Sequence, residues 1–358
     1  MKKLNIILLL ITLFFIAACS TGPDNKEEPV PEPVPADNDD VKYQRYILEN
    51  EYLKAEISDL GATLIKFIDK KTGQDIVLGF DSEQEYIDNG YNLGASIGRN
   101  ANRIGGAKFT LDGQEYILTE NDHGNQLHGG NSNGFAFKKW DAVSVTNDEA
   151  VFRYLSVDGE EGFPGNLTAT VTYKLDKNTL TWTYSGESDK DTILNMSNHS
   201  YFNLGDENIK SEYLYITTDR YAPVDEVGLT LDEVLSVKDT PFDFTEFTLI
   251  GDNLSKIENI DNNYVWEEIG EKLMAQLKND KLLLSVYSDL PDMHVFTASH
   301  LRSETSKSGN SYNGFDGVAL ECQYFPNGIN YGDKYLLPIL RKGETMTHFI
   351  RYEVDPVN

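Results

Sequence analysis

Cysteine is nearly missing from this chain: Cys19 and Cys322 are the only two in 358 residues. No disulfide framework can therefore staple the fold, and burial of apolar surface has to hold it. Basic residues are also scarce, with 31 Lys and Arg against 58 Asp and Glu and a net charge of −27. Such a surface repels nucleic acid and suits a neutral, soluble partner. The six histidines, His123, His128, His199, His294, His300 and His348, show no HExxH or comparable ligand spacing, so the sequence gives a metal hydrolase no support. Helical periodicity is rare as well. Only residues 267–277 carry it convincingly, which argues against a doubly wound α/β sheet.

At the N-terminus, Lys2 and Lys3 precede an apolar run from Leu4 to Ala18 that ends in small residues. This is a secretory signal pattern, and it is shorter than the roughly 20 apolar residues a membrane-spanning helix needs. Ile16-Ala17-Ala18-Cys19 resembles a bacterial lipobox, which predicts cleavage before Cys19, lipidation of that thiol, and membrane attachment through the lipid alone. Residues 20–42 are acidic, alternate Pro from Pro29 to Pro35, and lack large apolar side chains. They read as an extended tether. Residues 43–358 are expected to form one large domain.

Within that domain, short alternating runs are punctuated by turn residues. Residues 107–111 and 114–118 flank Asp112-Gly113, a strong hairpin signal. Residues 167–173 and 180–184 alternate Thr with apolar side chains around Asp176-Lys177-Asn178, as half-buried antiparallel strands do. Further strands are predicted at 62–68, 151–157, 282–287, 293–297 and 346–354. Many strands with few helices mean a sandwich or barrel.

Three segments concentrate polar residues that a core strand would not choose. The first combines Gly98-Arg99-Asn100-Ala101-Asn102-Arg103-Ile104 with Asn125-Gln126-Leu127-His128-Gly129-Gly130. Its glycines could be turn punctuation and its arginines solvated. A phosphate-cradling loop lacks the GxxxxGK[ST] order. In the second, Asn195–Leu204, His199 is ringed by amide and hydroxyl groups that can fix its tautomer. A hydrogen-bonded structural histidine is the bland alternative. In the third, Val318-Ala319-Leu320-Glu321-Cys322-Gln323, a carboxylate enters an apolar strand. Desolvating it is costly unless it is paired or its pKa is raised for a purpose.

Taken together with Thr240-Pro241-Phe242-Asp243, these motifs (GRNANRI, LHGG, NHSYFNL, TPFD and LECQ, in this order) resemble the aldose 1-epimerase (galactose mutarotase) family over nearly the whole domain. The resemblance implies an all-β fold, a large antiparallel two-sheet β-sandwich, and an enzyme that interconverts the α and β anomers of free aldohexoses. It implies Glu321 as general base and His199 as general acid, with Asn102, Arg103, His128, Ser200, Tyr201 and Asp243 on the sugar hydroxyls. His294 stands where the family often has Gln, and Asn259-Ile260-Asp261-Asn262-Asn263-Tyr264 keeps Asp261 and Asn263 of a family segment but not its histidine. No cofactor and no metal are implied, because one base and one acid suffice to open and close the ring. A glycosidase using Asp243 and Glu321 would leave His199 without a role. The alternative from another class is a non-catalytic sugar-binding lipoprotein on the same fold.

Overall fold

The computed structural model describes residues 41–357 except 132 and 308. The signal segment, Cys19 and the tether up to residue 40 lie outside the described residues. Residues from Tyr43 onward form one compact unit, built of antiparallel sheets with two short α-helices, Glu83–Asn89 and Ile250–Leu254, among the described residues.

The larger sheet has nine strands. It runs from the edge strand Asp141–Val145 through Glu149–Ser156, Leu167–Asp176 and Thr179–Ser188 to the C-terminal Thr345–Pro356, and continues through Leu282–Ser288, Lys272–Lys278 and Tyr213–Ile216 to Thr248–Leu249. Short turns join Asp141–Val145 to Glu149–Ser156 and Leu167–Asp176 to Thr179–Ser188. Thr345–Pro356, by contrast, is inserted from the far end of the chain between Thr179–Ser188 and Leu282–Ser288. Strict alternation in Leu167–Asp176 buries Leu167, Ala169, Val171 and Tyr173 on one side, the pattern of a sheet with one face on the core.

A six-stranded sheet packs opposite, in the order Tyr201–Phe202, Val318–Gln323, Asp292–Phe296, Asp261–Val265, Arg220–Ala222, Leu235–Ser236. A four-stranded sheet from Arg45 to Asp75 joins this side through an isolated bridge between Val77 and Phe202. Tyr352 of the large sheet meets Phe202 and Phe67 of the opposing layer, with ring centroids 5.1 and 6.4 Å apart. Both layers contribute to one core.

Residues 267–277 do not form the expected helix; their second half is the strand Lys272–Lys278. A bulge between Leu273 and Ala275 shifts the register against Leu282–Ser288. It places two buried residues, Met274 and Ala275, in succession. The resulting apolar spacing imitates a helical face, although the chain is extended. The hairpin at Asp112-Gly113 forms as expected, with both turn residues at positive φ, as the type I′ geometry requires.

Candidate active site

The six-stranded sheet positions the site by its two-residue period. In Val318–Gln323, Val318, Leu320 and Cys322 enter the core, which turns Ala319, Glu321 and Gln323 to the opposite face. Register then sets neighbours: Glu321 lies directly across from His294, and His294 across from Asn263. Asp261, two residues before Asn263, shares that face. Tyr201 joins it by pairing with Ala319.

The Asn195–Leu204 segment delivers His199 to the same place. Its backbone is fixed by His199 N–H donating to the Ala95 carbonyl and Gly94 N–H donating to the His199 carbonyl. Alternation separates the roles. Asn198 turns inward, its amide donating to the Tyr173 hydroxyl at 3.0 Å, and the Ser200 hydroxyl donates to Asn198 Oδ1 at 2.6 Å. His199 and Tyr201 turn outward and stack at 4.9 Å. Ser200, expected on the sugar, is therefore spent on the interior.

Two loops close the cluster. His128 approaches His199 edge-on at 4.9 Å between ring centroids. Its Nδ1 accepts the Asn102 backbone N–H at 3.2 Å, while the backbone N–H of His128 donates to the Asn102 carbonyl. The Asn102 side-chain oxygen accepts the Arg103 N–H, so Asn102 mainly orients its neighbours. Gly129 permits the close approach of these loops: its φ is +81°, and a Cβ there would lie 1.8 Å from the Gly98 carbonyl oxygen. Arg103 is held by Asp122 at 2.6 Å and by the Gly228 carbonyl at 3.1 Å. Arg99 is not solvated. Its buried guanidinium donates to the Ser156 hydroxyl and to the carbonyls of Ser156, Val157, Pro164 and Gly165, tying the loop to its neighbour.

The centre of the site is the approach of His199 Nε2 to Glu321 Oε1 at 3.5 Å, both side chains being almost fully buried. Burial pushes the Glu321 carboxyl up to about 8, with the charge of Asp261 adding to the rise and Arg103 opposing it. Burial likewise drives His199 down to about 3 and His128 well below its ordinary value. Glu321 Oε2, His199 Nδ1 and His294 Nδ1 have no hydrogen-bond partner among the described residues. Unpaired buried groups of this kind are expensive, and a polyhydroxylated ligand would satisfy them.

Asp243 is elsewhere in its bonding: its Oδ1 accepts the backbone N–H and hydroxyl of Thr245, closing the turn that follows Pro241. The carboxylate that enters the cluster is Asp261, whose Oδ1 lies 2.7 Å from His294 Nε2. Asp261 was visible in the sequence only as a retained member of the Asn259–Tyr264 segment, and Asp122 carried no signal.

His128, His199 and Glu321 each offer a ligand atom, all within 4.8 Å of one another. The donor set does not fit a metal ion. With His128 Nδ1 already accepting a backbone N–H, the neutral ring carries its hydrogen on Nε2 and presents a donor, not a lone pair.

A family model described as aldose 1-epimerase matches residues 44–353. An aldose 1-epimerase of Escherichia coli K12 is 34% identical over 322 residues, covering 85% of this chain and 92% of the relative. The human galactose mutarotase is 33% identical over 317 residues, with coverages of 85% and 92%. Among solved structures, an aldose epimerase homologue from C. elegans aligns with a TM-score of 0.83 at 28% identity, covering 88% of this chain and 100% of that one. A galactose 1-epimerase from Lactobacillus acidophilus aligns at 0.77, also at 28% identity, with coverages of 88% and 99%.

Proposed function

The chain belongs to the aldose 1-epimerase family and interconverts the α and β anomers of a free sugar, and from that premise we propose that Glu321 and His199 exchange the two protons the reaction moves. Ring opening removes the proton of the C1 hydroxyl and delivers one to the ring oxygen. Glu321, as carboxylate, takes the first, and His199, as imidazolium, gives the second while the bond from C1 to the ring oxygen breaks. After rotation about C1–C2, the freed hydroxyl attacks the other face of the aldehyde. Its proton returns to His199, and Glu321 protonates the carbonyl oxygen. Each group ends as it began.

The same burial that raises Glu321 and lowers His199 favours the uncharged pair, which is the state reached when the open-chain aldehyde is bound. Sugar hydroxyls at the unpartnered Glu321 Oε2 restore part of its lost solvation and favour the carboxylate that starts the cycle. Arg103 adds a fixed positive charge that stabilises it. In this reading His128 donates to a sugar oxygen, while Arg103 and His294 hold hydroxyls and Tyr201 keeps the His199 ring in plane. Broad activity on aldohexoses is expected.

The observation that carries the assignment is the 3.5 Å contact between His199 Nε2 and Glu321 Oε1 in a buried site. A protein that only captured sugar would gain nothing from desolvating a carboxylate against an imidazole. Polarimetry on freshly dissolved α-glucose tests it. Glu321→Gln should slow mutarotation by roughly 10²-fold or more while sugar still binds. Near-full rate in a folded variant would overturn the assignment and point to Asp261.

Export as a lipoprotein belongs to the same proposal. It is supported by Ile16-Ala17-Ala18-Cys19 after an apolar run and by the acidic, Pro-rich stretch that follows. The lipid on Cys19 would be the membrane attachment, with the catalytic domain held away from the bilayer.

A further inference from the structure

The strand that carries Glu321 and the segment that carries His199 are paired at one end. Tyr201 stands across from Ala319 and Phe202 across from Val318, antiparallel. Continued by two residues, that register would set His199 directly across from Glu321. The ladder does not continue. Among the described residues no strand pair joins 195–200 to 320–323. The backbone of His199 is taken instead by Ala95 and Gly94, and Ser197–Asn198 pairs with Ser96–Ile97. On its other edge the Glu321 strand stays paired from Ala319 to Gln323. The sheet therefore splits at the two groups assigned to proton exchange, and their side chains meet across the split at 3.5 Å.

Beyond the split the two chains are fastened again. Tyr324 N–H donates to Asn195 Oδ1 at 2.9 Å. Asn195 is itself fixed through both backbone groups, its N–H donating to the Arg99 carbonyl and its carbonyl accepting the Ala101 N–H. Tyr324 is also held from the opposing layer. Its hydroxyl lies 2.9 Å from His348 Nε2, and His348 Nδ1 lies 3.0 Å from Asp289 Oδ2. Asp289 Oδ1 accepts the Phe349 N–H at 3.0 Å. Asn195, Tyr324 and His348 are all buried, so water offers no ready substitute for these bonds. Two chains fastened at both ends of a short gap have little freedom to widen it; released at one end, they gain that freedom. A misplacement of about 1 Å between reacting groups can cost roughly 10²-fold in rate.

We propose that Asn195, Tyr324 and His348 are positioning residues that close the far end of this split and so set the distance between His199 and Glu321, with the nine-stranded sheet as the anchor through Asp289. The inference rests on the assignment of those two groups as the proton-exchanging pair. Tyr324 belongs to the core rather than to the site face, so loss of its hydroxyl should appear in turnover and not in sugar affinity.

Tyr324→Phe in the full-length protein keeps the ring and the backbone bond to Asn195 and removes only the hydroxyl. Polarimetry on α-glucose should show kcat lower by about tenfold, while calorimetry gives a glucose Kd within about twofold of wild type. His348→Asn is a second route, since its amide can replace Nδ1 toward Asp289 but does not reach Tyr324; the same loss is expected. A bond that serves the fold alone predicts a lower melting temperature with unchanged kcat, and that result in either folded variant would overturn the proposal. Combining Tyr324→Phe with Glu321→Gln separates positioning from general damage. Once the pair is broken its spacing no longer matters, so the added substitution should slow the residual rate, read at raised enzyme concentration, by less than about twofold. An equal tenfold loss in both backgrounds would refute the positioning role. Wild-type rate in Glu321→Gln alone would sink the proton-exchange assignment and this inference with it, whereas a slow Glu321→Gln beside a fully active Tyr324→Phe removes this inference only.

Discussion

Glu321 should weaken the fold that it serves, and the cost should depend on pH with a defined sign. Its carboxyl is expected to titrate near 4.5 when the chain is unfolded and at about 8 in the native site. Between those values the native state holds a proton that the unfolded state has released, so stability falls as pH rises through that window. The penalty is absent below about pH 4.5, reaches about 3 kcal/mol near pH 7, and levels off near ~5 kcal/mol above pH 8. Glu321→Gln keeps the shape and removes the charge. Relative to wild type it should be neutral near pH 4 and more stable at neutral pH, by up to about 3 kcal/mol. With about 2.1 cal/mol/K of unfolding entropy per residue over a domain of roughly 316 residues, this corresponds to a Tm gain of about 4–5 °C. His199 carries the opposite sign. Its value falls from 6.5 to about 3 on folding, so its penalty grows as pH falls through that range, and His199→Asn should be stabilising on the acid side only. Thermal or urea melts of wild type and both variants from about pH 4 to 9 measure this, since shared titrations cancel in the differences. Parallel wild-type and Glu321→Gln curves would show that the carboxyl is not desolvated in the native protein, and the physical account of the site would fail.

Asp261→Ala should weaken sugar binding and turnover together, by about tenfold or more, whereas Asp243→Ala should change them little beyond its effect on the turn; calorimetry and polarimetry on the two variants separate them. Prolonged treatment with a strong chelator should leave the mutarotation rate unchanged, because His128 presents N–H to the cluster; a loss restored by a divalent cation would refute that. Cys19→Ala should block lipidation and release the protein from the membrane fraction, as fractionation and mass analysis of the mature N-terminus would record; wild-type protein found soluble without acyl mass would refute the anchor.

Where local chemistry decides structure, the sequence was readable. Asp112-Gly113 makes its hairpin because both residues tolerate the backbone geometry of the turn, and the alternation in Leu167–Asp176 directly records a one-sided core. Residues 267–277 misled because a bulge places Met274 and Ala275 in the core in succession, and periodicity alone cannot distinguish a bulged strand from a helical turn. The candidate site was legible by motif at His199, Glu321, Arg103 and His128, all of which the fold brings to one cluster or its rim. It was not legible at Ser200, whose place between His199 and Tyr201 sends it to the opposite face. Nor was it at Asp243, conspicuous beside Pro241 and Phe242 yet occupied with Thr245. Asp261 was visible only as a retained member of the family segment Asn259–Tyr264, with no role attached. Only the cross-strand register, a tertiary property, sets it beside His294.

Thr345–Pro356 is bonded along both edges, to Thr179–Ser188 and to Leu282–Ser288. The two halves of the nine-stranded sheet are therefore joined by a strand that follows all the others in sequence. Until it arrives, each half exposes an unpaired strand edge, and the contacts that close the core span more than 150 positions of sequence. Closure over such separations is slow. The strand edges that receive residues 345–356 stay open until that segment docks, so it is the docking of this one strand that turns two partial sheets into a single closed layer.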